Sequence, residues 1–279
     1  MVTSRLWSVV IVAVLFVGCA PPRTTLRSIN TVRAGSSRSG GPVQPGARAI
    51  RMGPTCEALE GERGVGVLHV RARDGAWESR CFRKTSRSIG RPNGGRLEGG
   101  ETLPPAGPGW IQKGRNAVGT NEGIALLLAS IEDVRARYPG TVPIRIGDLS
   151  REDGGRLRPH KSHQSGRDVD IGYYARGNRA LRRFEKMTAE TIDASKTWHF
   201  VERLLLTGQV QYIFMSYRIQ EVLYLTALDS GWGEQDLRGI FQYPRGHQAK
   251  RGVIRHAKGH QDHLHVRFRC PASDTDCTP

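Results

Sequence analysis

The sequence predicts an α+β domain. Short strand-like runs such as DVDIGYY and DHLHVRFRC alternate apolar and polar residues, and residues 121–138 carry apolar residues at helical spacing. These segments follow one another without the strand–helix–strand rhythm of a parallel sheet. Helices and strands are therefore expected to segregate within one α+β fold.

The N-terminal segment predicts export. Arg5 precedes the apolar run LWSVVIVAVLFV, which ends at Gly18 and Cys19. At ~1.5 Å per residue this run is too short to cross the hydrocarbon core of a bilayer as a permanent helix. Residues 1–18 are therefore predicted to be a signal peptide.

The sequence LFVGC is similar to a bacterial lipobox, although Phe16 replaces the usual smaller aliphatic residue. This similarity predicts cleavage before Cys19 and lipid modification of its side chain. Ala20 then favours a periplasmic protein anchored to the outer membrane. A freely secreted protein in which Cys19 has no such role remains the alternative.

Residues 19–50 are predicted to be a lipid-anchored flexible tether, and residues 51–279 the folded domain. The tether is rich in Ser, Gly, Pro and Arg and has almost no large apolar residues. Such a segment buries too little apolar surface to offset the entropy lost on ordering.

The chain is strongly basic, with 42 Lys and Arg against 26 Asp and Glu and a formal net charge of +16. This charge predicts attraction to nucleic acid, anionic lipid or acidic cell-wall polymers. Nucleic acid ranks last, because an exported chain meets little of it and the sequence has no recognised nucleic-acid-binding motif.

Four further cysteines would lie in an oxidising compartment, where disulfides persist. Cys270 and Cys277 are seven residues apart in a tail that contains proline, which favours a local disulfide and leaves Cys56 to pair with Cys81. The absence of a CxxC pair argues against a zinc site made of cysteines.

The folded region is predicted to begin with a hairpin, since Asp74 and Gly75 separate two strand-like runs. A long loop region rich in Gly and Pro, GRPNGGRLEGGETLPPAGPGW, is expected to follow. Next, the amphipathic helix at 121–138 stops at Pro139 and Gly140.

Strands and helices then alternate to the end of the domain. Strands are predicted in TVPIRIGDL, DVDIGYY, VQYIFMS and DHLHVRFRC, and helices in SKTWHFVERLLL and QEVLYLTALD, with a Gly-rich loop from about Ser230. The period of two in strands places Asp168 and Asp170 on one face and His263 and His265 on one face, each opposite apolar residues.

Two pairs of polar residues have the spacing of metal ligands. His163 and Asp170 form HxxxxxxD around Gly166, which allows the loop to fold back, and His263 and His265 form HxH on one strand face. Zinc in a hydrolase needs three protein ligands and one open position. Either pair alone is weak, since an isolated histidine usually binds nothing.

The two histidine clusters together are more specific than either alone. His160 and His163 form one cluster, and His260, His263 and His265 form the other, so five of the nine histidines fall beside two strands. We interpret this joint placement as a metal site rather than as a polar loop.

From about Ser88 to Pro271 the chain resembles the penicillin-insensitive murein endopeptidases, zinc peptidases of the lysostaphin, D-Ala-D-Ala peptidase and Hedgehog-type superfamily. The resemblance lies in GDLSREDGG, HKSHQSGRDVDI, WHFVERLL, QYIFMS and HQDHLHVRFRCP. It implies a small antiparallel sheet with zinc on its open face and helices on the other face.

The resemblance also implies a ligand set. His163, Asp170 and His265 would bind Zn²⁺, and the remaining histidines of the two clusters would line the site. Two neutral imidazoles and one carboxylate leave the ion a net positive charge, which lowers the pKa of bound water towards about 7. His263 is the first choice for the general base and His260 the second.

Nearby charged residues have more than one interpretation. Asp168 could orient a ligand imidazole, or it could simply pair with Arg167 or Arg267. Arg158, Arg167 and Arg267 are candidates to bind a substrate carboxylate, or they could be solvated surface charges. His160 is expected beside the ligands.

Other hydrolase classes are excluded by missing motifs. Ser162 and Ser165 occur without a GxSxG elbow or an SxxK pair, so penicillin would find no serine to acylate. HExxH is also absent. The resemblance implies a zinc endopeptidase that cleaves the peptide crosslinks of peptidoglycan, chiefly the bond between D-alanine and meso-diaminopimelate. The alternatives are a D,D- or L,D-carboxypeptidase acting on stem peptides and a non-catalytic, zinc-containing wall-binding lipoprotein.

Overall fold

The computed structural model describes residues 51–52, 56, 65–71 and 77–279. The predicted signal peptide (1–18), the lipidation site Cys19, the tether (19–50) and the predicted turn at Asp74 and Gly75 lie outside the described residues. Among the helices within the described ranges, none combines the length and the apolar character needed to cross a membrane.

The described part of the chain includes α1 (Asn121–Arg137), α2 (Ala194–Leu206), α3 (Tyr217–Asp229) and α4 (Glu234–Ile240). The first three match predicted helices. Thr120 caps α1, because its side chain accepts a hydrogen bond from the backbone N–H of Gly123. The segment of α4 was expected to be a loop, because glycines before it favour a loop. The structure has a helix of about two turns there.

The domain begins with a three-stranded sheet made of β1 (Arg51–Met52), β2 (Val65–Arg71) and β3 (Trp77–Arg83). Antiparallel pairing of β2 with β3 runs from Val65 opposite Arg83 to Arg71 opposite Trp77. The hairpin prediction is therefore confirmed for its strands. The predicted disulfide between Cys56 and Cys81 is present in the structure.

The region rich in Gly and Pro contains short strands, which corrects the expectation of one long loop. They are β4 (Arg87–Arg91), β5 (Gly94–Glu98), β6 (Glu101–Thr102), β7 (Ala106–Gly107), β8 (Trp110–Gln112) and β9 (Val118–Gly119). Pro92 and Asn93 form the turn between β4 and β5, where the fixed φ of proline suits the first turn position.

The central sheet has the strand order β13-β12-β14-β11-β10-β8-β7. Its remaining strands are β10 (Ile144–Ile146), β11 (Asp168–Gly172), β12 (Val210–Met215), β13 (Ile254–His256) and β14 (His263–Phe268). The middle strands β12, β14, β11 and β10 pair antiparallel, as expected, whereas β13 and β8 add parallel to them. The sheet is thus larger than expected and mixed. The sequence did not reveal β8 and β13, because three residues are too few to show strand alternation.

The two faces of β11 and β14 differ in polarity. Val169 and Ile171 of β11 and Leu264 and Val266 of β14 are buried in one hydrophobic core with apolar residues of the helices. On the opposite face Asp170 pairs with His265, Asp168 with Arg267, and Gly172 with His263. The helices therefore pack on one side of the sheet, and the polar residues collect on the other.

The C-terminal tail contains a disulfide and is hydrogen-bonded to the hairpin of β4 and β5. The disulfide between Cys270 and Cys277, also predicted, is present. The backbone N–H of Gly90 donates to Asp276, and the N–H of Thr278 donates to Gly90, so the tail lies beside the hairpin of β4 and β5.

Candidate metal centre

Three predicted ligands meet above the polar face of the central sheet. His163 is 0% exposed, Asp170 3% and His265 6%. Nε2 of His163 lies 3.3 Å from Oδ1 of Asp170, and Nδ1 of His265 lies 3.1 Å from the same oxygen. The pairing of β11 with β14 positions Asp170 and His265, and the loop before β11 supplies His163.

These separations fit a tetrahedral zinc ion. Metal–ligand bonds of about 2.0–2.1 Å at tetrahedral angles place two ligand atoms about 3.3 Å apart. Moreover, Nε2 of His163 and Oδ1 of Asp170 are buried and make no hydrogen bond to any residue that the structure describes. Buried polar atoms without a hydrogen bond are costly, so their convergence on one point suits a cation.

The backbone around His163 is held in an uncommon conformation. His163 has φ of +66°, which is rare outside glycine, and Gly166 has φ of +74°. A Cβ at Gly166 would lie 2.7 Å from a methyl group of Leu97, so the turn also requires the small residue sterically. Nδ1 of His163 contacts the backbone oxygen of Leu149 at 2.5 Å. This contact assigns the proton to Nδ1 and leaves Nε2 free to face Asp170.

The carboxylate of Asp168 contacts both predicted ligand histidines, His163 and His265. Its Oδ2 accepts a hydrogen bond from the backbone N–H of His163 (2.8 Å), and its Oδ1 lies 3.1 Å from Nε2 of His265. Arg267 donates to the same carboxylate through Nε (2.7 Å). The sequence offered two interpretations of Asp168, and the structure shows the contact that each requires: one with the imidazole of His265 and one with the guanidinium of Arg267.

The ion pairs around Asp168 lower the pKa of its carboxyl group and raise the pKa of His265. Burial alone would raise the pKa of Asp168, but His265 and Arg267 hold it well below its ordinary value. Burial alone would lower the pKa of His265, but Asp168 and Asp170 raise it to about 9. A metal ion bound at Nδ1 of His265 must therefore displace a proton at neutral pH.

His160 offers a further nitrogen donor to the centre. His160, His163 and Asp170 each present a ligand atom within 4.8 Å of the other two. Nδ1 of His160 lies 3.6 Å from Oδ2 of Asp170, and its Nε2 lies 3.1 Å from Oδ2 of Asp148. His265 approaches Asp170 more closely and is more buried than His160. The geometry therefore offers two nitrogen donors beside His163 and Asp170, the predicted third ligand His265 and also His160.

The two candidate bases differ in their surroundings. Nδ1 of His263 lies 2.7 Å from Oδ1 of Asp262, and its Nε2 lies 3.8 Å from Oδ1 of Asp170. The ring stacks on Phe184 at 5.0 Å. Nδ1 of His260 contacts the backbone oxygen of Lys258 at 3.2 Å.

The structure changes the interpretation of two arginines. Arg167 is 1% exposed, and its guanidinium donates to the backbone oxygens of Phe268 (3.2 Å) and Thr278 (2.7 Å), so it cannot meet a substrate. Its place in sequence next to Asp168 was misleading, because neighbouring strand residues point to opposite faces. Arg267 faces the site, but its guanidinium already donates hydrogen bonds to the carboxylate of Asp168. Arg158 is exposed.

Sequence reasoning assigned no role to three residues that contact the site histidines. Asp148 contacts His160, Asp262 contacts His263, and Phe184 stacks on His263. Asp262 could have been found, because a carboxylate next to a candidate base is a signal for an orienting partner. Phe184 gave no signal, since it is distant in sequence from both histidine clusters.

An Asp168→Asn substitution is expected to weaken the binding of zinc about 10- to 100-fold. An amide has one acceptor oxygen, so it cannot serve the N–H of His163, Nε2 of His265 and Arg267 together. Titration of the metal-free protein with zinc against a competing chelator measures the effect. The exposed Asp229→Asn on α3 is the matched control, and equal affinities in the two variants would remove the orienting role of Asp168.

Comparisons with known proteins agree with this geometry. The sequence model of the family "Penicillin-insensitive murein endopeptidase" matches residues 88–223, a range that contains His163 and Asp170 and ends before His265. A penicillin-insensitive murein endopeptidase of Klebsiella pneumoniae subsp. pneumoniae is 29% identical over 210 residues, which cover 69% of this chain and 70% of the relative. One from Salmonella heidelberg is 29% identical over 158 residues, covering 51% of each chain. The resemblance to the penicillin-insensitive murein endopeptidases that the motifs predicted is therefore confirmed.

Proposed function

We propose that this protein is a zinc endopeptidase that hydrolyses the peptide crosslinks of peptidoglycan, chiefly the bond between D-alanine and meso-diaminopimelate. The observation that carries the proposal is the convergence of His163, Asp170 and His265, where two buried donor atoms make no hydrogen bond within the described part of the chain. The match to the family model and the names of the relatives support the peptidoglycan substrate.

Zinc would be held by Nε2 of His163, Oδ1 of Asp170 and Nδ1 of His265. A bound zinc ion supplies Lewis acidity and lowers the pKa of a water molecule that it binds. Asp168 keeps the two imidazoles in place through the N–H of His163 and Nε2 of His265. The buried carboxylate and imidazoles also exclude bulk solvent from the ligand side of the centre.

His263 is positioned to accept a proton from the attacking water. In the neutral ring, the hydrogen bond to Asp262 places the proton on Nδ1, so the lone pair of Nε2 points towards Asp170. His260 is less suited to this role. Burial and the neighbouring His263 and His265 lower its pKa to about 4, and a general base works best when its pKa is near the working pH. A neutral His260 can instead hydrogen-bond the substrate.

Penicillin insensitivity follows from the side chains at the site. Penicillin acylates a nucleophilic serine that an adjacent base activates. Ser165, which lies between His163 and Asp170 in sequence, is 1% exposed, and its hydroxyl has no hydrogen-bond partner within the described residues. We therefore assign all hydrolytic chemistry to the metal centre and its histidines.

We further propose that the protein acts in the periplasm, anchored to the outer membrane through a lipid on Cys19. Residues 19–50 would then be the tether between the lipid anchor and the folded domain. The net charge of +16 suits a polymer whose stem peptides carry free carboxylates.

The purified protein without residues 1–18 is expected to convert crosslinked muropeptide dimers into monomers, and mass spectrometry of the products identifies the bond that is cut. Removal of zinc by a chelator should stop the reaction, and added zinc should restore it. Release of a terminal D-amino acid from monomers, with dimers left intact, would indicate a carboxypeptidase. Intact dimers and monomers with zinc bound would indicate a wall-binding protein without catalysis.

A further inference from the structure

The polar face of the central sheet continues beyond the metal centre towards the edge strand β13. Asp170 pairs with His265, His265 pairs with Phe214, and Phe214 pairs with Arg255. One row of side chains therefore crosses β11, β14, β12 and β13. Ile213 and Ile254, the neighbours of Phe214 and Arg255 in sequence, are buried in the core on the other face.

Ring contacts link the metal centre to Arg255 without interruption. The ring of Phe214 lies 5.5 Å from that of His265 and 6.4 Å from that of His260. Tyr212 follows at 5.7 Å from Phe214, and the guanidinium carbon of Arg255 lies 4.1 Å from the centre of the Tyr212 ring. The partly exposed rings of Phe214 and Tyr212 form an aromatic floor that ends at a cation.

Arg255 is oriented but has no anionic partner. Its Nε donates to the backbone oxygen of Gly252 (2.8 Å), and its guanidinium carbon lies over the ring of Tyr212. Within the described residues no carboxylate forms an ion pair with it. Arg267, by contrast, is bound to Asp168, and Arg167 is buried beneath the surface. Arg255 is therefore the arginine on this row that can bind an external anion.

We propose that Arg255 binds a carboxylate of the peptide substrate while the adjoining part of the peptide lies on Phe214 and Tyr212. The proposal rests on the proposed function, and it makes Arg255 a specificity-determining residue for an acidic peptide. Two strand spacings separate Arg255 from His265, about 10 Å. Since an extended residue spans about 3.3–3.6 Å, the carboxylate lies roughly three residue lengths from the hydrolysed bond.

The chemistry of the guanidinium supports a carboxylate as its ligand. Arginine presents a planar fork of donors that matches the two oxygens of a carboxylate. The contact with Tyr212 and the hydrogen bond to Gly252 hold the fork in one orientation, so little side-chain entropy is lost on binding. The binding energy is gained in the ground state and the transition state alike, because the contact is far from the reacting atoms.

The test compares two substrates, a crosslinked muropeptide dimer with free carboxylates and the same dimer with those carboxylates converted to amides. Arg255→Gln is expected to raise KM for the free-carboxylate dimer roughly 10- to 100-fold, to leave kcat little changed, and to leave the amidated dimer unaffected. Arg255→Lys keeps the charge without the fork and should fall between the parent and Arg255→Gln. Arg218→Gln, at an exposed position of α3, is the matched control.

A binding measurement separates this proposal from the proposed function. Calorimetry with both dimers in a His263→Gln background reports selectivity without hydrolysis. If the parent cleaves neither dimer but binds the free-carboxylate dimer more tightly through Arg255, the proposed function fails and the Arg255 site stands. If the parent cleaves dimers and Arg255→Gln changes both substrates equally or neither, the Arg255 site is overturned and the proposed function stands. Equal binding of both dimers, with and without the Arg255→Gln substitution, also overturns it.

Discussion

A His163→Ala substitution is expected to abolish zinc binding and hydrolysis together. Apparent binding free energies of about 10–16 kcal/mol for structural zinc, shared over four ligands, give about 2.5–4 kcal/mol per ligand. Loss of one ligand therefore lowers affinity roughly 10²- to 10³-fold. The substitution also leaves the buried Oδ1 of Asp170 with Nδ1 of His265 at 3.1 Å and Nε2 of His263 at 3.8 Å as its histidine neighbours.

The measurement is zinc content after dialysis, followed by the rate of dimer cleavage with zinc in excess. Circular dichroism and thermal unfolding of the metal-free forms show whether the variant is folded. His160→Ala is the matched control, because His160 lies beside the centre and its closest approach to Asp170 is 3.6 Å. His265→Ala should behave like His163→Ala.

Two results would contradict this assignment. If His160→Ala loses zinc and His265→Ala keeps it, the ion is held by His160, His163 and Asp170, the other set of donors that the geometry allows. If His163→Ala retains full zinc and full activity, the centre above β11 and β14 is not the catalytic site.

Strand alternation accounts for how much of the site could be predicted from the sequence. The period of two in β11 placed Asp168 and Asp170 on one face, and in β14 it placed His263 and His265 on one face; the observed register brings Asp170 opposite His265. The helix α1 was equally clear, since its apolar spacing and the Pro and Gly after it fixed both ends. Local patterns therefore predicted the elements that carry the ligands.

What the sequence could not supply was contact between distant segments. The partnership of Phe214 with both His265 and Arg255 depends on β12 lying between β14 and β13, an order that no local pattern encodes. The burial of Arg167 likewise depends on the C-terminal tail, whose Thr278 accepts its hydrogen bond. The α+β class was confirmed. The size and the mixed pairing of the sheet were not predicted, because they depend on strands of three residues or fewer, which show no alternation.

A His263→Gln substitution is expected to lower kcat for dimer cleavage about 10²- to 10⁴-fold while zinc content remains that of the parent. Glutamine is similar in size to histidine, but its amide cannot accept a proton near neutral pH. KM should change little, because the substrate contacts elsewhere on the sheet face are intact. Steady-state kinetics with the muropeptide dimer, together with zinc analysis, measures both quantities.

The comparison with His260→Gln decides between the two bases. The lowered pKa of His260 makes it a weak proton acceptor, so its substitution should reduce kcat less than that of His263. Asp262→Asn provides a second control, since an asparagine can still hydrogen-bond Nδ1 of His263 but no longer stabilises the protonated ring, and an intermediate loss is expected. If His260→Gln is the more damaging change, the roles are reversed. If His263→Gln instead releases zinc, then Nε2 of His263, 3.8 Å from Oδ1 of Asp170, is a ligand and not the base.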